Sequence, residues 1–329
     1  MELLLRDRYE TLDLIGRGGQ GEVVRAFDRV HKRMVAVKIR ACDPDDDRAA
    51  LLGEAGILLG VRPHPLLPLV REDFFDGDRY CVVMDWVDGT DLQHRLDGRG
   101  SPGLPLDEVV EALAQVASAL DHLHGHDQPI VHGDVKPANV VRTADGRAVL
   151  VDFGIARRGG AGGGGAGAYG TSGYQAPETA RGEKPTPAAD VFALAATAFT
   201  LLTGQPPLPG ARPRWGVIAG ERAKVVEQTL RLGLAFDPTR RPLTATSLVE
   251  GLRGQLAVAT NLPLEPTTFV GRADEMAAGR SLLAGTRLLT VLGTGGVGKS
   301  HLSRRLAAEL AGDHPDGVYL VELATVVDP

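Results

Sequence analysis

The sequence predicts an α+β unit followed by a partial α/β segment, and three observations carry that prediction. Residues 9–86 read as short β runs joined by turns, broken by one helical stretch near residues 49–59. From residue 104 onward the apolar residues recur instead at helical spacing. After a proline-containing stretch the pattern changes again, to an apolar run, a glycine-rich loop ending in Lys299-Ser300, and a helix. Strands followed by helices indicate α+β packing, whereas strand, loop and helix in succession belong to a parallel α/β sheet.

The first part supplies strands at residues 23–27, 34–39 and 80–84. Asp43, Asp45, Asp46 and Asp47, broken by Pro44, form an acid run ahead of the helical stretch. It reads as a solvated loop that favours the helix N-terminus, not as a metal site. Between residues 104 and 124, Leu106, Val109, Val110, Leu113, Val116, Ala117 and Leu120 make one face of a long buried helix, which delivers the chain to Ile130-Val131-His132. Residues 191–202 are the most apolar window; that length suits a buried helix, because a membrane span needs about 20 residues. Helical segments near residues 223–232 and 244–256 close this part. Pro263, Pro266 and the polar run to Thr268 read as a linker.

With 329 residues, 43% hydrophobic and 24% charged, the chain has room for two or more compact units and no mark of a disordered or fibrous class. A net charge of -6 argues against a protein that coats nucleic acid, since no basic excess is present to neutralise phosphates. The N-terminal apolar run is too short for a signal peptide. Cys42 and Cys81 lie far apart without metal-ligand spacing, which points to reduced thiols and a cytoplasmic setting.

The chemistry concentrates in His132-Gly133-Asp134-Val135-Lys136-Pro137-Ala138-Asn139, followed by Asp152-Phe153-Gly154. A carboxylate, an ammonium, a carboxamide and a second carboxylate on two short loops are what aligning a hydroxyl with a metal-bound triphosphate requires. In that reading Asp134 accepts the hydroxyl proton and Lys136 sits beside the transferred group. Asn139 and Asp152 hold Mg²⁺. Further motifs stand around these: Gly16-x-Gly18-x-x-Gly21-x-Val23, Val35-Ala36-Val37-Lys38, Glu54, Ala176-Pro177-Glu178, Asp190 and Arg241. With 42 glycines present, G-x-G-x-x-G is expected about once by chance, and residues 160–165 and 162–167 also match it. The ordered set is the specific signal.

That set resembles the protein serine/threonine kinases of the eukaryotic-like type found in bacteria. The resemblance implies a bilobal protein kinase-like fold over residues 9–256, with a small lobe at 9–86, a large lobe at 87–256 and a tail at 1–8. It implies an ATP site built from Ile15, Gly16, Gly18, Gly21, Val23, Ala36, Lys38, Met84, Asp85, Val87 and Asp152. Lys38 would pair with the α and β phosphates and Glu54 would hold it. Met84, Asp85 and Val87 fall where the family's hinge meets adenine. Glu178 and Arg241 match its buried ion pair, Asp190 its anchor for the catalytic loop, and Thr171 a contact to the catalytic Asp134 and Lys136. His132 is expected as a packed structural residue.

Gly133 departs from the family, where arginine is usual before the catalytic aspartate. Without that arginine, phosphorylation of the activation loop loses its main electrostatic receiver. The loop hydroxyls are few and late, at Tyr169, Thr171, Ser172 and Tyr174, after Arg157-Arg158 and a glycine-alanine run at 159–168 that is expected to be mobile. The expectation is a kinase that does not depend on loop phosphorylation.

In the last part, residues 288–292 read as a strand, Gly293 to Ser300 fits G-x-x-x-x-G-K-[ST], residues 302–310 read as a helix and residues 318–323 as the next strand. The pattern would arise by chance roughly once in a hundred such chains. Gly293, Gly298, Lys299 and Ser300 would form a second phosphate site. With Phe269-Val270-Gly271-Arg272 ahead of it, the segment at 269–329, after a linker at 257–268, resembles the start of a signal-transduction P-loop ATPase of the NB-ARC-related kind. No later strand with a Walker B acid follows. A cut-short segment and an incomplete second ATP site are therefore expected.

Two other functions compete. Small-molecule phosphotransferases of the aminoglycoside and choline kinase type share the fold and the His-Gly-Asp spelling, but not Lys136, the Gly16 loop, Ala176-Pro177-Glu178 or Arg241. A kinase-like regulatory module without catalysis is the other. The expected partners are ATP and a protein substrate with a Ser or Thr acceptor, with neither nucleic acid nor membrane.

Overall fold

Alternation along β3 (Gly21–Asp28), which buries Val24, Ala26 and Asp28 and leaves the residues between them half-exposed, sets the first sheet. This computed structural model describes residues 3–18, 21–42, 51–52, 56–57, 59–99, 103–152, 157–158, 171–207, 222–254, 272–294, 297–310 and 318–321. The sheet has six antiparallel strands: β1 (Leu4–Leu5), β2 (Tyr9–Gly18), β3, β4 (Arg33–Ala41), β5 (Val70–Asp76) and β6 (Arg79–Asp85), in the order β1-β2-β3-β4-β6-β5. Val35 and Val37 of β4 join Val24, Ala26, Phe74, Cys81 and Val83 on one face, closed by Leu5 and Tyr9. Ala36 lies on the other face with Val70, Tyr80, Val82, Met84 and Leu51. The period of two thus places Ala36 and Lys38 on one side, with Val23 opposite Lys38 and Met84 opposite Ala36.

Residues 1–8 were expected as a tail, but Leu4 and Leu5 add a short strand to the sheet and residues 6–8 turn the chain into β2. Leu4 and Leu5 pair with Glu10 and Tyr9, and Leu5 is fully buried. Arg8 fastens the segment by donating twice to Asp28 and once to Glu72. A two-residue strand gave too little periodicity to read from sequence.

The second half is helical around a small sheet. It runs through β7 (Thr90–Asp91), α1 (Leu92–Arg99), α2 (Leu106–His124), β8 (Ile130–Val131), a 3-10 turn (Pro137–Asn139), β9 (Val140–Arg142), β10 (Ala148–Leu150) and β11 (Arg157–Arg158). Then follow α3 (Pro177–Ala180), α4 (Pro187–Thr203), α5 (Ala223–Gly233), a second 3-10 turn (Pro238–Arg240) and α6 (Ala245–Leu252). Every predicted face residue of α2 is buried except the half-buried Leu106. The apolar window forms α4, which is buried nearly all round and starts on Pro187, where a missing N–H costs nothing. Asp121 of α2 caps α6 by accepting from Ala245 N and Thr246 N at 2.9 and 3.0 Å.

The chain divides into two compact units, Met1–Gly254 and Gln255–Pro329. In the second, α7 (Ala273–Gly285) and α8 (Lys299–Leu310) pack through Met276 and Leu306, with an Arg280–Glu309 ion pair at 3.2 Å. The strands expected at 288–292 and 318–323 do not form among the described residues. Residues 288–292 adopt no regular structure, and Leu288 and Leu292 are exposed; Val318 makes one isolated bridge. Apolar runs become strands only when a neighbour pairs their backbone. Among the described residues the parallel strands of an α/β P-loop architecture are therefore not seen. Glu54, the acid run at 43–47, Phe153-Gly154, the glycine-alanine run at 159–168, the linker at 257–268 and residues 269–271 lie outside the described residues. Among the described residues no helix is long and apolar enough to cross a membrane.

Candidate active site

The loop at 132–139 is held from beneath by α4. Asp190, fully buried there, accepts hydrogen bonds from His132 N and Gly133 N, each at 2.8 Å, and from His124 Nε2 at 2.8 Å. Burial pushes its carboxyl up, but these donors outweigh it and leave the group below the ordinary carboxylate range. Thr197, two turns further along α4 and also buried, shares its hydroxyl between the carbonyl of Ala193 in its own helix at 2.8 Å and that of Val135 at 3.3 Å. Gly133 has φ 79°, a left-handed conformation in which a Cβ costs roughly 1–2 kcal/mol. His132 is buried completely, and burial lowers its imidazole pKa, so it stays neutral and packed.

Asp134 stands where three donors meet. Lys136 Nζ reaches Oδ2 at 2.7 Å, Asn139 Nδ2 reaches the same oxygen at 3.0 Å, and Thr171 Oγ1 reaches Oδ1 at 2.8 Å. Lys136 also donates to Thr171 Oγ1 at 2.7 Å, which closes the group. Burial raises the Asp134 pKa, and the Lys136 ammonium and Thr171 hydroxyl more than reverse that, so the carboxylate is held ionised.

Asp152 lies beside this group because Val151 N donates to the backbone carbonyl of Asn139 at 2.9 Å. From the sheet, Lys38 Nζ donates to Asp152 Oδ1 at 2.8 Å. Lys38, Asp134, Asn139 and Asp152, remote along the chain, are thereby linked through contacts of 3.0 Å or less.

Val23, Ala36 and Met84 meet in one apolar cluster on the same face of the sheet as Lys38. Asp85 closes β6, and its side chain is taken by Arg71 at 2.7 and 2.9 Å. Val87 is half-buried just beyond, and Ile15 is exposed on β2. Gly16 pairs with Val23 and Gly18 with Gly21. Gly21 has φ 120°, and a Cβ there would lie 2.3 Å from the Ile39 carbonyl oxygen. Its need for glycine is thus set by the neighbouring strand. Glu54 is outside the described residues, so its pairing with Lys38 is not described.

Glu178 and Arg241 form a buried two-pronged pair at 2.6 and 2.7 Å, and Arg241 also donates to the carbonyls of Ala188 and Ala235. In the second unit Lys299 Nζ donates to the carbonyls of Gly293 and Thr294 at 2.9 and 2.8 Å; Ser300 is the second residue of α8 and Gly298 has φ 82°. Sequence reading missed His124 and Thr197. Neither carries a signal, because what matters is their distance in space from Asp190 and Val135.

The protein kinase domain family profile matches residues 9–241. The chain is 32% identical over 286 residues to serine/threonine-protein kinase PknD of Mycobacterium tuberculosis, covering 81% of this chain and 42% of PknD. It is 39% identical over 213 residues to PknF of the same organism, covering 60% of this chain and 43% of PknF. The chain thus spans about two fifths of the length of these curated relatives. Among solved structures, the Mycobacterium tuberculosis PknI kinase domain superposes with a TM-score of 0.63 at 28% identity, covering 77% of this chain and 98% of that one.

Proposed function

The chain belongs to the protein kinase domain family, and from that premise we propose that residues 9–256 are a serine/threonine protein kinase that transfers the γ-phosphate of ATP to protein Ser and Thr hydroxyls. The observation that carries this reading is the linked group of Lys38, Asp152, Asn139 and Asp134 beneath an apolar roof. Val23, Ala36 and Met84 would receive the adenine, with Asp85 and Val87 offering backbone groups. Ile15, Gly16, Gly18 and Gly21 would cover the phosphates.

Among the described residues, Oδ1 of Asn139 and Oδ2 of Asp152 accept no hydrogen bond, since Asn139 is engaged through Nδ2 and Asp152 through Oδ1. Two free hard oxygens, on residues whose loops meet at the Val151 N to Asn139 carbonyl bond, fit Mg²⁺. Bound there, the ion would neutralise charge on the phosphates. Lys38 would steady the α and β phosphates, with Glu54 behind it. Asp134, already ionised, would orient the acceptor hydroxyl and take its proton as the oxygen attacks. Lys136, 2.7 Å from Asp134, would offset charge on the transferred group.

Gly133 supports a kinase that does not require loop phosphorylation. Replacing Ser172 by Glu should leave the rate within about 2-fold, because no arginine at position 133 awaits the charge. A strong rise would refute it. The same glycine suits a small-molecule phosphotransferase, but the Lys136–Thr171 contact and the buried Glu178–Arg241 pair favour a protein acceptor. For the second unit, Gly293, Gly298, Lys299 and Ser300 suit a phosphate-binding loop of a P-loop ATPase segment. The free thiols Cys42 and Cys81 support a cytoplasmic setting.

The deciding experiment is transfer of labelled phosphate from Mg-ATP to protein, wild type beside Asp134→Asn, with phosphosites mapped by mass spectrometry. Label on Ser or Thr that the variant loses supports the reading. Folded protein that transfers nothing marks a non-catalytic module, and label on an aminoglycoside or amino alcohol marks the small-molecule enzyme.

A further inference from the structure

A cavity of about 820 Å³ among the described residues is not lined by Lys38, Asp134, Lys136, Asn139 or Asp152. It is an open trench bounded by the loop at 63–69, by residues 85–88 at the end of β6, and by residues 143–149 of the turn into β10, with Met34 of β4 also lining it. Its walls therefore come from both lobes. Arg147 ties two of them, donating to Asp145 at 2.8 Å and to the Pro65 carbonyl at 3.4 Å.

Its chemistry is selective in three ways. The floor is apolar, with Leu67, Trp86 and Val149 buried or half-buried. One wall carries Pro63, Pro65 and Pro68, which have no N–H to donate. An occupant could not be held as an added strand there and must be recognised through its side chains, as extended peptides are in proline-compatible grooves. The charge is unbalanced as well: Asp85, Asp88 and Asp145 line the trench against Arg147, with His64 held neutral by burial. Asp85 is engaged by Arg71 and Asp145 by Arg147. Exposed Asp88 has no ion-pair or hydrogen-bond partner among the described residues.

We propose that this trench is a docking groove for an extended segment of a partner protein, in which Lys or Arg meets Asp88 and the apolar side chains that follow it lie on Leu67 and Trp86. The acidic rim disfavours nucleic acid. An occupant touching Met34, residues 85–88 and the 143–149 turn would bridge the two lobes beside the segment that joins them, and so recruit its protein next to the active site.

The test is fluorescence anisotropy with the full chain and no nucleotide, so that it fails or succeeds independently of phosphate transfer. The probe is a labelled peptide Arg-Arg-Pro-Leu-Pro-Leu, beside its counterpart with Glu in place of Arg. The basic peptide should bind saturably and at least about 10-fold tighter than the acidic one, with an advantage that shrinks in high salt. Asp88→Lys should reverse the preference, and Ala144→Trp, on the exposed turn, should block both. Melting temperature and transfer to a short peptide substrate should stay as in the wild type for both variants. Equal binding of the two peptides, absence of saturable binding, or unchanged preference in Asp88→Lys would overturn the proposal. So would Ala144→Trp altering sedimentation instead of peptide affinity, which would make the trench an interface between copies of the chain.

Discussion

Asp134 illustrates how neighbours decide the chemistry of one residue. A carboxyl this buried would ordinarily resist ionisation, yet Lys136 and Thr171 hold it charged. Asn at this position keeps the shape and loses both the charge and the proton acceptor. Asp134→Asn should therefore lower the transfer rate at least about 10²-fold, read by label incorporation, with little change in melting temperature. Gly21 is decided by sterics. Gly21→Ala places a methyl 2.3 Å from the Ile39 carbonyl oxygen, so β3 or β4 must shift. The expected cost is about 1–3 kcal/mol in chemical unfolding, together with a raised KM for ATP. A neutral result would mean that the strand yields freely. Motif spelling marked both residues, but it placed Gly21 only in the ATP site and gave no sign of the close approach of Ile39.

At the scale of elements, α4 does two jobs. Its apolar residues fill the core, and Asp190 and Thr197 hold the loop at 132–139 from below. Asp190→Ala should remove the shared acceptor of two backbone N–H groups and His124. The expectation is a fall in kcat larger than any change in KM for ATP, because Lys38 and the apolar roof belong to the sheet. Equal effects on both would show that α4 supports the whole cleft. The Glu178–Arg241 pair ties α3 to the second 3-10 turn. Breaking it with Glu178→Ala leaves a buried guanidinium without its partner, a loss of about 3–5 kcal/mol that a urea melt would register. The helices α2 and α4 were legible because long periodic segments carry their own signal. The short β1 was not, and the apolar runs at 288–292 and 318–323 misled for the reason that pairing is supplied by neighbours.

For the molecule as a whole, the buried titrating groups set how the first unit tolerates acid. His132 and His64 have pKa values lowered by burial, so the unfolded chain binds more protons than the folded one once pH falls below about 6.5. Stability should begin to decline there. Asp134 and Asp190 are depressed carboxyls, whose contribution is present above the unfolded value of 3.8 and is lost as pH falls through their lower folded values. Urea melts at pH 7.5, 5.5 and 3.5 should show a modest loss at the second value and a larger one at the third. Equal stability at 7.5 and 5.5 would contradict the assignment of neutral, buried imidazoles.

The amino-acid sequence alone determined the class of the first unit, its long helices and the identities of Lys38, Asp134, Lys136, Asn139 and Asp152, because those features are written as local periodicity and as residue types at fixed spacing. Tertiary structure decided the rest. It made Leu4 and Leu5 a strand of the sheet, joined His124 and Thr197 to the loop at 132–139, left 288–292 without a strand and opened a trench between three segments distant along the chain. Each of these depends on which groups meet in space after burial, and hydrogen-bond partners or unpaired strand edges are properties of that meeting, not of any one stretch of residues.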